Sequence, residues 1–280
     1  MIKADVHPYK VLYDEIKKVD PKIVVVGSAI GPNEAFFKAG FQKYQDAYNI
    51  HAYSDLGELR AQMQRYRRLF AKYGGAKSIW STEIGSKGQG LPRDVIAKDI
   101  IRKAVCFFGD GGGFFTCFAT GGMPDTTGDR VGTYSDSMDF FAAKYDMHMA
   151  RLNAVAYYHL INELCVKKFV KEIDYANGVD GFLFRDKDGN DLIAFWGTKN
   201  DGDYSIALPG VHEVNVTHYD GRSAKLEAAG QGIGLRITDD PVLLTFRDAG
   251  TALSGRSIRR KSRWRKFPMN SSRVRHRTSR

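Results

Sequence analysis

Cysteine is scarce, with three in 280 residues. The number is odd, and Cys106, Cys117 and Cys165 are not spaced as metal pairs, so neither a disulfide framework nor a cysteine-built metal site is expected. Long apolar runs are missing as well. No stretch approaches the roughly 18 uninterrupted apolar residues of a helical membrane span, and no membrane partner is expected. The glycines do not build a phosphate loop. Gly85 to Gly90 matches neither the Walker pattern nor G-x-G-x-x-G, and Gly109-Asp-Gly-Gly-Gly113 precedes a strand, where it reads as a tight turn. The expectation is therefore no cofactor and no metal. Residues 1–20 lack a basic start followed by an apolar run, so no signal peptide is expected there.

Acidic residues are absent from the end of the chain. From Ala249 to Arg280 there are eleven Lys or Arg and no Asp or Glu, so taking these from the net charge of +10 leaves residues 1–248 at −1. The excess charge is local, and the ordered part offers no basic surface to match it. Nucleic acid is not an expected partner. The tail over 249–280 has almost no apolar periodicity and is expected to be disordered and to pack against nothing.

What remains is globular in composition, 43% hydrophobic and 26% charged, and long enough for one or two domains. Tyr9 to Val19 sets Val11, Leu12, Ile16 and Val19 on one helical face. Ile23-Val-Val-Val-Gly27 reads as a strand buried on both sides. Pro32 to Phe41 reads as a short helix, Ala47 to Tyr53 as a strand, and Leu56 to Tyr73 as a helix ended by Gly74-Gly75. Lys77 to Gly85 is the next strand, Val95 to Phe108 the next helix, Gly113 to Ala119 a further strand and Ala142 to Cys165 a last helix. Four strand-then-helix units in succession predict an α/β fold with a parallel sheet, either doubly wound or half of an eight-stranded barrel.

Both architectures gather functional residues at the C-terminal strand ends. Those ends carry Ser28, then His51 and Tyr53, then Glu83, then Phe118 and Thr120, and they are expected to share one cleft. Glu83 is the most pointed of them. Strict alternation puts Ile79, Ser81 and Glu83 on one face and Trp80, Thr82 and Ile84 on the other. The glycines that follow stop the strand, so the carboxylate faces a loop-lined opening. From Phe169 the texture changes to short alternating runs separated by turns such as Asp188-Gly189-Asn190 and Asp220-Gly221. These predict a small antiparallel β-sandwich that packs on the helical layer and buries Trp196.

The order of His51-x-Tyr53, Trp80-x-Thr82-Glu83-x-Gly85 and a last strand before an antiparallel domain resembles clan A glycoside hydrolases, families 39, 5 and 42 in flavour, over roughly residues 9–246. The resemblance implies a (β/α)8 barrel of which this chain carries the last four β/α units: residues 1–165 as the C-terminal barrel half, 166–248 as a β-sandwich and 249–280 as the basic tail. It implies Glu83 as nucleophile of a retaining, two-carboxylate mechanism, with Tyr53 hydrogen-bonded to it. His51, Tyr53 and Phe118 are implied to contact an oligo- or polysaccharide or glycoside. The clan's acid/base glutamate sits in an Asn-Glu pair on an earlier strand, and neither Asn33-Glu34 nor Asn162-Glu163 matches that position. The chain is thus expected to be a fragment lacking the acid/base residue. The alternative is a non-catalytic carbohydrate-binding remnant or a basic-tailed binding protein.

Overall fold

A computed structural model describes residues 5–118, 138–144, 147–173, 178–198, 202–228, 232–247 and 258–260. Its first part is a three-stranded parallel sheet in the order β1 (Ala47–Ala52), β2 (Ser78–Ile84), β3 (Gly112–Cys117), with helices α1 (His7–Val19) and α2 (Glu34–Lys38) ahead of it and α3 (Leu56–Tyr73) and α4 (Arg93–Gly109) in the connections. The 3.6-residue spacing of Leu59, Met63 and Tyr66 turns one side of α3 onto this sheet. There they join Phe37, Tyr48, Ile50, Ile79 and Ile84 in a single buried cluster. The helix starts at Asp55, whose side chain accepts the Glu58 amide at 2.9 Å, and stops at Gly74 with φ 70°.

The first sequence-predicted strand departs from expectation. Ile23–Gly27 forms only one parallel bridge, Val26 to Ala47, and Ile23 and Val24 are 43% and 52% exposed. The cause is local. The Asp46 carboxylate takes the Val25 amide at 2.8 Å, while the Val25 carbonyl accepts the amides of Asp46 and Ala47, so the ladder is diverted. Among the described residues no strand lies on its outer side. The apolar face expected for α1 is likewise uncovered, with Val11, Leu12 and Val19 exposed. Tyr9 instead packs its ring on Phe36 and Phe41, and Tyr13 donates to Asp46 at 3.0 Å.

Two predicted helices are shorter than expected. Gly40, at φ 88°, ends the segment after α2, and Phe41–Lys43 forms a separate 3₁₀ turn. The helix expected from Ala142 does not begin there: β4 (Phe141–Lys144) and β5 (Met147–Ala150) pair antiparallel, and α5 (Leu152–Leu164) begins only after Arg151, whose extended backbone donates to the Phe140 carbonyl at 2.8 Å.

The remaining chain is antiparallel. Strands β6 (Lys168–Glu172), β7 (Val179–Arg185), β8 (Asn190–Gly197), β9 (Gly202–Ile206), β10 (Glu213–His218), β11 (Ser223–Glu227), β12 (Ile233–Ile237), β13 (Val242–Arg247) and β14 (Ile258–Arg260) form two sheets. One runs β11-β10-β13-β8-β7-β6 and the other β12-β9-β14. Leu183, Ile193, Phe195, Val216 and Leu244 of the first share a core with Tyr204, Ile206 and Ile233 of the second. The opposite face of the six-stranded sheet meets α4 and α5, where Trp196 is buried against Phe182 with ring centroids 5.5 Å apart. The short β14 corrects the expectation that nothing after Ala249 packs: its backbone pairs with β9, which offers an open edge. The rest of the tail lies outside the described residues.

Leu59 is 1% exposed at the centre of the α3–sheet cluster. Leu59→Ala is expected to lose about 2–5 kcal/mol, the range for truncating a buried leucine, read as a lower urea midpoint with unchanged slope.

Candidate functional site

The strand that carries Glu83 does not alternate regularly. Ile79 and Ile84, which strict alternation sets on opposite faces, both lie in the core beneath the helices. The pairing registers give the reason. Between Trp80 and Glu83 the partner strand β1 advances only from Asn49 to His51, and between Ser81 and Ile84 β3 advances only from Phe115 to Cys117. One extra residue is accommodated at Ser81–Thr82, a β-bulge. Its effect is to leave Ser81 buried and to turn Thr82 and Glu83, in succession, toward the open face of the sheet.

Side chains take over hydrogen bonding around the bulge. Ser81 Oγ donates to the Ile50 carbonyl at 2.9 Å, and the Thr82 amide donates to Asn49 Oδ1 at 3.2 Å. Asn49 Nδ2 lies 2.9 Å from Thr82 Oγ1, and Thr82 Oγ1 lies 3.1 Å from Asn49 Oδ1 and 3.0 Å from His51 Nε2. The other ring nitrogen, His51 Nδ1, is 3.3 Å from Glu83 Oε2. Tyr53, just past the end of β1, donates its phenol to the same Oε2. The phenol and the imidazole thus converge on one carboxylate oxygen. Among the described residues Oε1 has no hydrogen-bond partner, and the Glu83 side chain is 33% exposed.

Of the sequence-predicted residues, His51, Tyr53, Glu83 and Phe118 come together. Phe118 sits edge-on to Tyr53 with centroids 6.0 Å apart, and its amide donates to the Ile84 carbonyl at 2.8 Å. Ser28 is not brought to Glu83; its hydroxyl pairs with Tyr9 at 2.9 Å. Thr120 lies outside the described residues. Beside His51 opens a polar cleft of about 550 Å³ lined by Gly31, Asn33, Glu34, Glu58, Gln62 and Arg65 among others. The Glu34 carboxyl there is held down to about 2 by hydrogen bonds from Lys72 and Tyr73, at 2.7 and 2.5 Å.

Behind the site lies a charged group that sequence reasoning passed over. Lys103 of α4 is 1% exposed, yet its ammonium donates to the Gly85 carbonyl at 2.7 Å and pairs with Asp99 at 2.7 Å, while Asp99 accepts from Ser86. These contacts pin the chain directly after Glu83. Gly85 itself has no room for a side chain: a Cβ would stand 2.9 Å from the Tyr53 ring and displace the phenol from Glu83. The sequence does hold a signal for Lys103. It falls on the apolar face of its helix, between Ile100 and Phe107 at helical spacing, where a cation is expected only with a buried partner. Asn49 carries a similar signal, a polar residue between Tyr48 and Ile50 in the buried part of β1.

No protein-family profile matches the chain. No curated protein matches it. Solved structures do. A family 39 glycoside hydrolase from the gut symbiont Bacteroides cellulosilyticus WH2 is similar over 85% of this chain and 54% of its own, at 18% identity and a TM-score of 0.62. A glucosidase from Croceicoccus marinus is similar over 85% of this chain and 63% of its own, at 15% identity and TM-score 0.59. The protein BuGH86, solved in complex with neoagarooctaose, is similar over 86% of this chain and 47% of its own, at 11% identity and TM-score 0.54. The chain therefore has a glycoside-hydrolase-like fold, and it spans about half to two thirds of the length of these structures.

Two outcomes test the site's electrostatics. Lys103→Met leaves Asp99 without its cation and is expected to cost about 3 kcal/mol in denaturant unfolding, with less than additive loss in Lys103→Met/Asp99→Ala. Glu34 has a folded value, about 2, below its ordinary 4.5. Its contact with Lys72 and Tyr73 thus contributes fully above about pH 4.5 and is lost as the pH falls toward 2. A carboxyl NMR titration is expected to show the low midpoint, returning to near 4.5 in Lys72→Met/Tyr73→Phe.

Proposed function

We propose that this chain is the glycoside-binding and nucleophile-bearing part of a retaining glycoside hydrolase, comprising the last four β/α units of a (β/α)8 barrel and a β-sandwich, and that Glu83 is the nucleophile. The observation that carries the reading is the convergence of Tyr53 and His51 on Oε2 of a partly exposed carboxylate at a strand end. The glycoside-hydrolase-like fold supports it.

The chemistry follows from that geometry. Oε2 is held by the Tyr53 phenol with the His51 ring beside it, so Oε1 is the oxygen free to attack. It bonds to the anomeric carbon as the glycosidic carbon–oxygen bond breaks and the leaving oxygen departs with the electron pair. That oxygen needs a proton, and a later water must lose one. Both transfers belong to a second carboxyl group about 5–5.5 Å from the first in retaining enzymes. Among the described residues no second carboxylate is bonded within the Glu83 cluster. On this reading the acid/base residue lies outside this chain, and the isolated chain turns over natural glycosides slowly, short by the roughly 10²- to 10⁴-fold that general acid–base assistance supplies. The same feature supports a second reading, a non-catalytic carbohydrate-binding remnant.

Labelling separates the two. In 2-deoxy-2-fluoro glycosyl fluorides the leaving group is fluoride, which departs without a general acid, while attack by Oε1 forms a glycosyl ester. Incubation with the gluco, galacto, manno and xylo reagents is expected to add one glycosyl mass that maps to Glu83 and is absent in Glu83→Gln. No adduct, or one at another residue, removes the nucleophile assignment. Brisk turnover of natural oligosaccharides would place an acid/base carboxylate within this chain.

A further inference from the structure

We propose that the cleft beside His51 is a subsite for an anionic sugar, one bearing a carboxylate or a sulfate, and that Arg65 and Arg68 read its charge. As a subsite of a hydrolase it rests on the assignment of Glu83; as an anion-binding groove it stands by itself. The groove is built on α3. Glu58, Gln62, Arg65, Arg68 and Lys72 follow at spacings of four, three, three and four, which sets them along one side of the helix. The facing wall is the chain from Ala29 to Glu34. Glu34 fastens that wall to α3, accepting from Lys72 at 2.7 Å and Tyr73 at 2.5 Å. Between the walls the cleft of about 550 Å³ continues into a second space of about 240 Å³, and the two share Pro32, Glu34 and Arg65. One end opens at His51, whose ring lies 3.3 Å from Glu83 Oε2, and the other reaches Arg68 and Lys72. A sugar linked to the one held at Glu83 has this groove to enter.

The lining selects charge. Sites for uncharged ligands are lined mainly by apolar and aromatic side chains, whereas no Phe, Tyr or Trp lines either space here and five charged groups do. Both carboxylates among them are engaged: Glu34 by Lys72 and Tyr73, and Glu58 by Arg65 at 3.5 Å. Against these two stand three cations, Arg65, Arg68 and Lys72, so one positive charge is left over. It falls on Arg68, which is exposed and has no acidic partner among the described residues. Other cations of α3 are placed differently: Arg60 and Arg67, away from the groove, both pair with Asp110. Arg65 is also available, because its contact with Glu58 is longer than a well-formed charge-assisted hydrogen bond. A guanidinium offers a planar fork of donors that matches two oxygens of one anion, and Arg65 and Arg68 stand about one helical turn apart.

The basic residues after Ala249 offer anions a competing place, so the test reads the groove itself. Tetramers of glucuronate and of galacturonate, 6-O-sulfated cellotetraose and uncharged cellotetraose are titrated into the full chain, with NMR of the Arg65 and Arg68 Nε–H groups and the His51 ring. The charged tetramers are expected to shift all three residues and, from those shifts, to bind about tenfold or more tighter than cellotetraose at about 50 mM salt. The advantage is expected to shrink at about 500 mM salt, where exposed charges are screened. Comparing the uronates with the sulfate ester tells which anion fits. Arg65→Gln/Arg68→Gln, followed at the Gln62 amide and the His51 ring, is expected to lose the advantage and Arg68→Gln part of it, while Arg67→Gln keeps it within about twofold.

Equal affinity for charged and uncharged tetramers, no shift at Arg65 and Arg68, or a loss in Arg67→Gln as large as in the double variant overturns the proposal. Shifts at the arginines that leave His51 unmoved overturn the groove's place as a subsite. Glu83→Gln is expected to bind the charged tetramers as tightly as the wild-type chain. If the wild-type chain takes no fluoro glycosyl label while the shifts persist, the nucleophile assignment fails and the anion-binding groove stands; if Glu83 is labelled and no anion binds, the groove fails alone.

Discussion

The site depends on one extra residue in β2. A regular parallel strand would hold Ile79 and Ile84 on opposite faces, so only one of them would reach the core under the helices. With the bulge at Ser81–Thr82, both are buried and Thr82 and Glu83 emerge side by side on the open face. The apolar core and the polar site are thus satisfied by the same irregularity. A bulge disrupts the ladder, and unmatched backbone groups in a buried strand are costly. Here the hydroxyl of Ser81 and the amide of Asn49 supply local partners, and Asn49 is one of the few polar residues buried in this sheet.

A second layer fixes what the bulge has aimed. Lys103 is buried in an otherwise apolar helix face, an arrangement whose desolvation cost offsets much of its attraction for Asp99. Its net contribution to stability is small compared with the apolar cluster around Leu59 and Met63. What it contributes is geometry: the ammonium on the Gly85 carbonyl holds the segment after Glu83 in place, and Gly85 lets the Tyr53 ring approach. Residues remote from the open face thereby decide where one carboxylate oxygen stands.

The two parts of the chain meet through α4 and α5. Ile96, Ile100 and Leu160 pack on Phe182, Phe184 and Trp196 of the six-stranded sheet, and Lys98 bridges Asp94 and Asp240 at 3.0 and 2.5 Å across the same junction. The antiparallel sheets therefore stiffen the helix that carries Lys103. At the other end of the parallel sheet the order fades: a single bridge at Val26, exposed Ile23 and Val24, and an uncovered apolar face on α1. Such an edge presents unpaired backbone groups and apolar side chains together, which are the features another strand and helix would cover.

The sequence by itself determined the elements whose pattern is local. The 3.6-residue spacing of Leu59, Met63 and Tyr66, the stop at Gly74, the β-branched and aromatic runs of β1 and β2, and the turn-punctuated strands after Phe169 were all legible, because each is set by neighbours a few residues apart. So was the grouping of His51, Tyr53, Glu83 and Phe118, since strand ends of a parallel sheet lie at one edge. Where the pattern misled, a competing partner had intervened. Asp46, far along the chain, diverted the Ile23–Gly27 ladder, and the pairing of β4 with β5 displaced the start of the helix expected from Ala142 to Cys165. Only the tertiary structure decided the bulge, because an extra residue is visible only against the registers of β1 and β3. The roles of Asn49, Thr82 and Lys103 were decided with it. Their partners lie 15 or more positions away in the sequence, or across a strand, and hydrogen bonds over such separations exist only once the sheet and helices have been packed together.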